Sequence, residues 1–430
     1  MLQRNSYTPQ TQVVVHTWRG QTYDLTNSLM TTSAPSWTRT KTLETAAGTF
    51  TLNLLPNQPW QKLLMPMDYV EIRASKTGKK VNGKFPIIMR GFIDRVGDSK
   101  QFGSTGGPSE PRLVIIGRDY TKLLIEWQIL YLFTQNTFKS GGNLASIAAQ
   151  AQGFGMYLNF DLPIYPTSIT SFMIAMMQKM VNPIFAGLRN YKYKSLPGLN
   201  HSFKFPDYPM SSINIMSYTG SYLNLFEYVV SPPFGELFVE EGPDTPILVS
   251  RMTPYRDLSG KTPSPAASLT NAGEIIDISG IDTTFSDTDV YTYFLTWGAS
   301  TQQVGLTQPV FATGKNNGVF QSSANLYGQR PLIIDTSWIA EYDGANPKQP
   351  NSGAIQIGSQ LNEWLMATME QNAEFLGGTI SCHGDESYQI GQYRTVPATN
   401  QEFYIAGIQD SFTIKDGWTA YLTVERGRNL

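Results

Sequence analysis

Two stretches decide the fold: Met89-Arg90-Gly91-Phe92-Ile93-Asp94-Arg95-Val96 near the start of the chain, and Ile405-Ala406-Gly407-Ile408-Gln409-Asp410-Ser411-Phe412 near its end. Each reads as a strand with a Gly-x-x-Asp step. Each runs through a turn or loop into an alternating strand, Leu113 to Arg118 in the first case and Ala420 to Arg426 in the second. A further strand precedes each, Asp68 to Arg73 and Tyr388 to Val396. A Gly-x-x-Asp step alone is common. Its recurrence with the same neighbours is the signature of an internal repeat, which sets the architecture before any local detail does.

Working outward from the first stretch, Gln12 to Trp18, Ser36 to Thr42 and Gly48 to Leu55 read as strands. Thr49-Phe50-Thr51-Leu52-Asn53-Leu54 alternates, which puts Phe50, Leu52 and Leu54 on one face. Lys76 to Lys84 is a polar hairpin loop and Gly97 to Glu110 a Gly/Ser-rich one. Around the second stretch, Glu274 to Ile281, Asp289 to Trp297 and Thr379 to His383 read as strands. Tyr291 to Thr296 is expected to be the counterpart of Thr49 to Leu54, which makes the second copy split. The expected fold is mainly β with α+β lobes: two tube-like antiparallel β-barrel domains, the second interrupted by an insertion. The first barrel takes residues 1–125, small α+β lobes 126–273, the second barrel 274–298 with 379–430, and the inserted lobe 299–378.

The lobes carry the helical periodicities. Asn143 to Gln152 and Ser221 to Val230 read as helices. Met173, Met176, Met177 and Met180 form an i, i+3, i+4, i+7 stripe. Ser359 to Glu374 places Leu361, Trp364, Leu365 and Met369 on one face, with Ser359 as N-cap. Glu236 to Arg251 reads as strand, turn and strand, and Ser259 to Gly273 as an exposed loop.

At 430 residues, two to four domains are expected. With 32 Lys+Arg against 34 Asp+Glu there is no excess of cations, which argues against tight sequence-independent binding of nucleic acid. A single cysteine rules out a disulfide framework within the chain and a thiolate metal cluster. Met1 to Gln12 lacks the apolar core of a signal peptide. Phe172 to Leu188 is the most apolar window, and Gln178, Lys179, Asn182 and Pro183 interrupt it, so no stable membrane insertion is expected.

Catalytic, cofactor and metal sites are expected to be absent. Cys382 and His383 are adjacent in a strand and point to opposite faces, so a shared ligand set is disfavoured. Glu240-Glu241 and Asp385-Glu386 are carboxylate pairs of the kind that glycosidases use, but adjacent acids more often mark solvated turns. Neither a Gly-x-Ser-x-Gly elbow nor a Walker loop is present. The Met stripe is read as core in preference to a docking face.

The combination of motifs resembles the baseplate hub proteins of tailed phages, a group related to the hub part of type VI secretion spikes. Asp68-Tyr69-Val70-Glu71-Ile72 with Arg90 to Val96 carries the likeness at one end. Tyr404 to Phe412 ahead of Ala420 to Gly427 carries it at the other, and Asn325-Leu326-Tyr327-Gly328 with the helix near Trp364 carries it in the inserted lobe. The family's usual Gly before the Asp of the first turn is Met67 here, and Phe172 to Met210 has no counterpart in it. The resemblance implies a structural, non-enzymatic trimer in the tail baseplate of the virion, assembled in the host cytoplasm. It implies contact with the tail tube protein, central spike protein, tape measure protein and baseplate wedge components. DNA would meet it only in transit. Two other readings stand beside it: a tail-tip cell-wall-degrading enzyme using acids such as Glu241 or Asp385, and a carbohydrate- or receptor-binding β protein using Trp18 or Trp60.

Overall fold

The computed structural model describes residues 7–31, 35–99, 112–129, 168–191, 193, 196–206, 208, 220–298, 311–312, 321–336, 338–339 and 352–430. The chain opens with β1 (Gln10–His16), β2 (Thr22–Asp24), β3 (Trp37–Thr42), β4 (Thr49–Leu54), β5 (Tyr69–Ser75), β6 (Ile87–Ser99) and β7 (Arg112–Asp119). Its middle adds β8 (Gln128–Ile129), β9 (Asn200–Lys204), β10 (Gly220–Ser221), β11 (Gly235–Glu241) and β12 (Pro246–Met252). After β13 (Ile278–Phe285) come β14 (Tyr293–Gly298), β15 (Phe311–Ala312) and β16 (Pro331–Thr336). The last strands are β17 (Leu376–His383), β18 (Tyr393–Val396), β19 (Gln401–Thr413) and β20 (Gly417–Asn429).

Twelve of these strands form one sheet, in the order β13-β17-β20-β19-β3-β4-β7-β6-β5-β1-β2, with β18 on the flank of β19. Every ladder in it is antiparallel. The protein is therefore mainly β. The path has two ends, and no ladder between described strands closes it into a ring.

The repeat is visible as topology. In the first unit the chain runs β3, β4, β5, β6, β7, and the sheet orders these strands 3-4-7-6-5. In the second it runs β13, β17, β18, β19, β20, and the sheet orders them 13-17-20-19-18. Both read first, second, fifth, fourth, third. The fourth strands, β6 and β19, carry the two Gly-x-x-Asp steps and are both bulged against their fifth-strand partners. One expectation is corrected here. Tyr293–Gly298 lies outside the large sheet, pairing parallel with β16 and antiparallel with β15. The strand that occupies the place of Thr49–Leu54 is Leu376–His383, so what separates the first two strands of the second unit is residues 286–375. Placement and β character misled because a short Tyr/Phe/Thr run reads as a strand in any sheet.

Alternation was otherwise a sound guide. Phe50, Leu52 and Leu54 are all buried, in a core with Trp37, Ile72, Ile93 and Trp418. A separate core beneath the second unit holds Ile380, Phe403, Ile405, Leu422 and Val424. The largest core belongs to the lobes. Met173, Met176 and Met177 are fully buried in it, at the end of the helix Ile169–Met176 and in the π-helical turn Met177–Val181, so the Met stripe packs inward. The helix Tyr222–Val230 is capped by Ser221, whose side chain accepts from the Asn224 amide. The helix around Trp364 begins earlier than its spacing suggests, at Ser352, and runs to Met369. Ser359 is thus interior to it and not its cap. Leu361, Trp364 and Leu365 are fully buried, as their spacing requires. Asn143 to Gln152 lies outside the described residues, as does nearly all of the loop 97–110.

Candidate assembly junction

The polar chemistry of the molecule concentrates where the two units meet, along β3 and β19. Trp37 to Thr42 pairs with Phe412 to Gly407, so the first strand of one unit continues the sheet from the fourth strand of the other. Trp37 stacks on Phe412 with centroids 5.9 Å apart and meets Trp418 edge-on at 6.1 Å. The Trp37 indole donates to Thr11 Oγ1 at 2.8 Å, which satisfies its one polar atom. Tyr7 closes the same corner by donating to the Trp418 carbonyl.

Two residues further along β3, Arg39 donates to Asp410 in a salt bridge that is almost fully buried. Its Nη1 donates to the Ile88 carbonyl at 2.5 Å. Burial pushes the Asp410 carboxyl above the usual carboxylate range, and the Arg39 charge opposes this. A buried pair of this kind adds little net stability, because desolvation offsets the attraction, yet it penalises any arrangement that separates the partners. Here it fixes register: a one-residue slip of β3 against β19 would turn Arg39 to the other face and leave Asp410 buried without its partner.

Lys41, again two residues on, reaches the β11–β12 hairpin. Its Nζ donates to the Val239 carbonyl and to Glu241 Oε1, both at 3.2 Å, and lies 3.9 Å from Asp119. Arg90, the residue before the first motif glycine, completes the grip on Glu241. Its amide donates to Oε1 and its Nη1 to Oε2, both at 3.0 Å, while the guanidinium also donates to the carbonyls of Gly242 and Pro243. At the other end of β11, Glu236 accepts from Arg251 at 2.5 Å and from the Tyr404 hydroxyl at 2.6 Å. One seven-residue strand thus grips β3 and β6 of the first unit through Glu241 and β19 of the second through Glu236. The hairpin braces the junction.

A third cluster holds the second unit to the lobes. Glu402 accepts from Arg256 at 2.5 Å and from Arg428 at 3.1 Å. Burial pushes its carboxyl up, but the hydrogen bond from Arg256 and the charges of both arginines outweigh this and hold it below the usual range. Arg426 donates to the Arg256 carbonyl at 2.9 Å and lies over the Phe375 ring at 3.8 Å.

The residues singled out from sequence divide clearly. Glu241 and Asp385 are both committed to ion pairs, Glu241 as above and Asp385 with Lys76. Asp385 and Glu386 therefore bind the Lys76 end of the 76–84 hairpin loop to the second unit, Glu386 accepting from the Lys76 amide at 3.0 Å. Trp60 is buried, with 4% of its surface accessible, so it offers no face to a sugar. Trp18 is half-buried against the lobe core. Cys382 is buried and His383 exposed, on opposite faces as expected. Burial pushes the Cys382 thiol up to about 12, so it stays protonated at neutral pH. Among the described residues no three His, Cys, Asp or Glu side chains group as metal ligands. Sequence reading missed Arg39, Lys41, Glu236 and Glu402. Arg39 and Lys41 were visible as cations at alternate positions of a Thr-rich strand, Trp37-Thr38-Arg39-Thr40-Lys41-Thr42, which places both on one face.

No family model matches the sequence, and no curated protein matches it. Among solved structures, the chain is similar to the tail protein from Neisseria meningitidis, with 12% identity, a TM-score of 0.46 and 96% of each chain covered. It is also similar to a 43 kDa tail protein of a Shewanella oneidensis prophage, with 12% identity, a TM-score of 0.47, and 96% and 98% of the two chains covered. A third similar structure is an Escherichia coli component of the type VI secretion system, described as structurally similar to bacteriophage tail proteins. It shares 9% identity at a TM-score of 0.40 over 97% of this chain and 74% of that one.

Proposed function

We propose that this chain is the baseplate hub of a phage tail, a homotrimer whose duplicated units adapt the six-fold tail tube to the three-fold central spike. The observation that carries this reading is the strand order first-second-fifth-fourth-third, present twice in one chain and joined edge to edge into one sheet. A chain with two equivalent units presents two equivalent lateral surfaces. Closed symmetric rings are the normal state of oligomers, and three such chains about an axis place six units around it.

Each unit is taken as one tube-like barrel, over residues 1–125 and over 274–285 with 376–430, with lobes between and within them. Bonds outside the ladders support this. Leu29 bridges to Leu54 in the first unit. In the second, the run leading into β13 bonds to β18, Ile275 donating to the Thr395 carbonyl at 2.8 Å and Thr395 to that of Gly273 at 3.1 Å. On this reading the work is done by surfaces: the trimer contacts the tail tube, spike, tape measure and wedge proteins and lets DNA through a central channel. The near-balance of charge suits a channel that does not hold the genome. Native mass spectrometry of the protein with its spike tests the reading. Three chains per complex are expected; a monomer, or a ring of six or more copies, contradicts it.

A further inference from the structure

The sheet leaves over one edge of each kind that its own junction uses. Inside the chain, the outer edge of a first strand (β3) pairs with the far half of a fourth strand, Gly407 to Phe412 of β19, beyond the stretch that β18 occupies. The second unit has its own first strand, β13, and among the described residues nothing pairs with its outer edge. The first unit has its own fourth strand, β6. There β5 pairs only as far as Phe92, and no described strand pairs with Asp94 to Ser99 on that side. One copy therefore carries a spare first-strand edge and a spare fourth-strand edge at opposite ends of the same relationship.

The composition of β13 fits an edge that is covered in use. Ile-Ser-Gly-Ile-Asp-Thr-Thr-Phe has neither the lysine nor the proline that protects exposed edges. It leaves Phe285 60% exposed, with Ile276 just before it at 42%. The acceptor half of β6 carries the exposed cation Arg95, and β13 carries the exposed acid Asp282.

We propose that β13 of one copy adds to Asp94–Ser99 of β6 in a second copy of this chain, repeating between copies the junction that β3 and β19 make within one. This rests on the hub reading and says which strands join its copies. The contact is head-to-tail, so it needs no two-fold axis and propagates around a ring until the rotation closes.

The test uses the full chain in two forms with one added cysteine each, Thr284→Cys on β13 and Arg95→Cys on β6, with a short bismaleimide and light scattering on the same samples. Cys382 is buried and stays in both as the common background. Mixing the two forms is expected to give a covalent species of twice the chain mass, absent when either form is treated alone. Linkage within the Thr284→Cys form alone means a two-fold contact and overturns the proposal. Oligomers that scatter as trimers but never cross-link overturn it too, while leaving the hub reading standing. A chain that stays monomeric both alone and with its spike removes both. Phe285→Lys provides a second variant: exposed, it leaves the unfolding midpoint unchanged and is expected to weaken association by about tenfold or more. Unchanged association in that variant also counts against the proposal.

Discussion

At the scale of single residues, the account rests on buried charges that are paired and not free. Asp410 is the sharpest case, because its removal strands Arg39 in the core. Asp410→Ala is expected to lose about 3–5 kcal/mol by urea denaturation, and Arg39→Met with Asp410→Leu to recover most of that loss. If the pair contributed only surface attraction, the single variant would cost under about 1 kcal/mol and the double variant would show no recovery. Glu402 gives the pH dependence. Its folded-state carboxyl is held below the usual range, so its contribution is present above the unfolded value of about 4.3 and is lost as pH falls through the lower folded value. Glu402→Gln is therefore expected to be destabilised at neutral pH, with the gap to the parent closing below about pH 4. A thermal unfolding series from pH 7 to pH 3 measures this. A gap that stays constant across that range would show that the Glu402 charge is not what holds Arg256 and Arg428. Met67 adds a residue that sequence reading flagged without explaining. It stands where the resembled family has glycine, and its backbone is in the left-handed region at φ 73°. The turn keeps the glycine conformation without the glycine.

At the scale of elements, the two motif glycines turn out to have different duties. A Cβ on Gly91 would stand 2.2 Å from the Arg118 carbonyl oxygen, a backbone atom that cannot swing aside. On Gly407 it would meet only side-chain atoms of Thr423 and Thr42, at 3.1 Å and beyond. Gly91→Ala is thus expected to lose about 1–3 kcal/mol and Gly407→Ala clearly less, measured by denaturant midpoint. Equal losses would mean that the glycines act through backbone freedom and not through close approach. Much at this scale was legible in the sequence. Thr49–Leu54 and the Trp364 helix showed their period because each buries one face more than the other, whereas the Gly-x-x-Asp strands showed as near-continuous strand runs, with Ile88 to Ile93 and Glu402 to Ile405 buried on both faces. What failed was assignment of a strand to a sheet. Tyr293–Gly298 has the aromatic and apolar character of a strand, yet its partners are β15 and β16. Alternation reports a half-buried strand and carries no information about which strand lies beside it. The start of the Trp364 helix was misplaced for a related reason. Ser352 to Gly358 has little apolar patterning of its own, so Ser359 was the first residue to look like a cap.

At the scale of the whole molecule, duplication and bracing explain each other. Two units joined by a single strand pair would hinge about it. The β11–β12 hairpin spans that joint, with Glu241 held by Arg90 and Lys41 on one side and Glu236 by Arg251 and Tyr404 on the other. Apart from Glu236 with Arg251, the two ends of the strand-turn-strand stretch, none of these pairs was legible in the sequence, since each joins residues more than a hundred positions apart. The brace gives the two units a fixed relation, which a ring of alternating first and second units requires if every junction is to be alike. Duplication, the joint and the brace thus all serve one central claim: that this chain supplies two equivalent units to a ring. An image reconstruction of the tail tip at the end of the tube tests it most directly. The account predicts three copies of this chain there, presenting six β units in one ring with first and second units alternating. Six copies presenting one unit each to the ring, or copies placed only at the periphery, would contradict it.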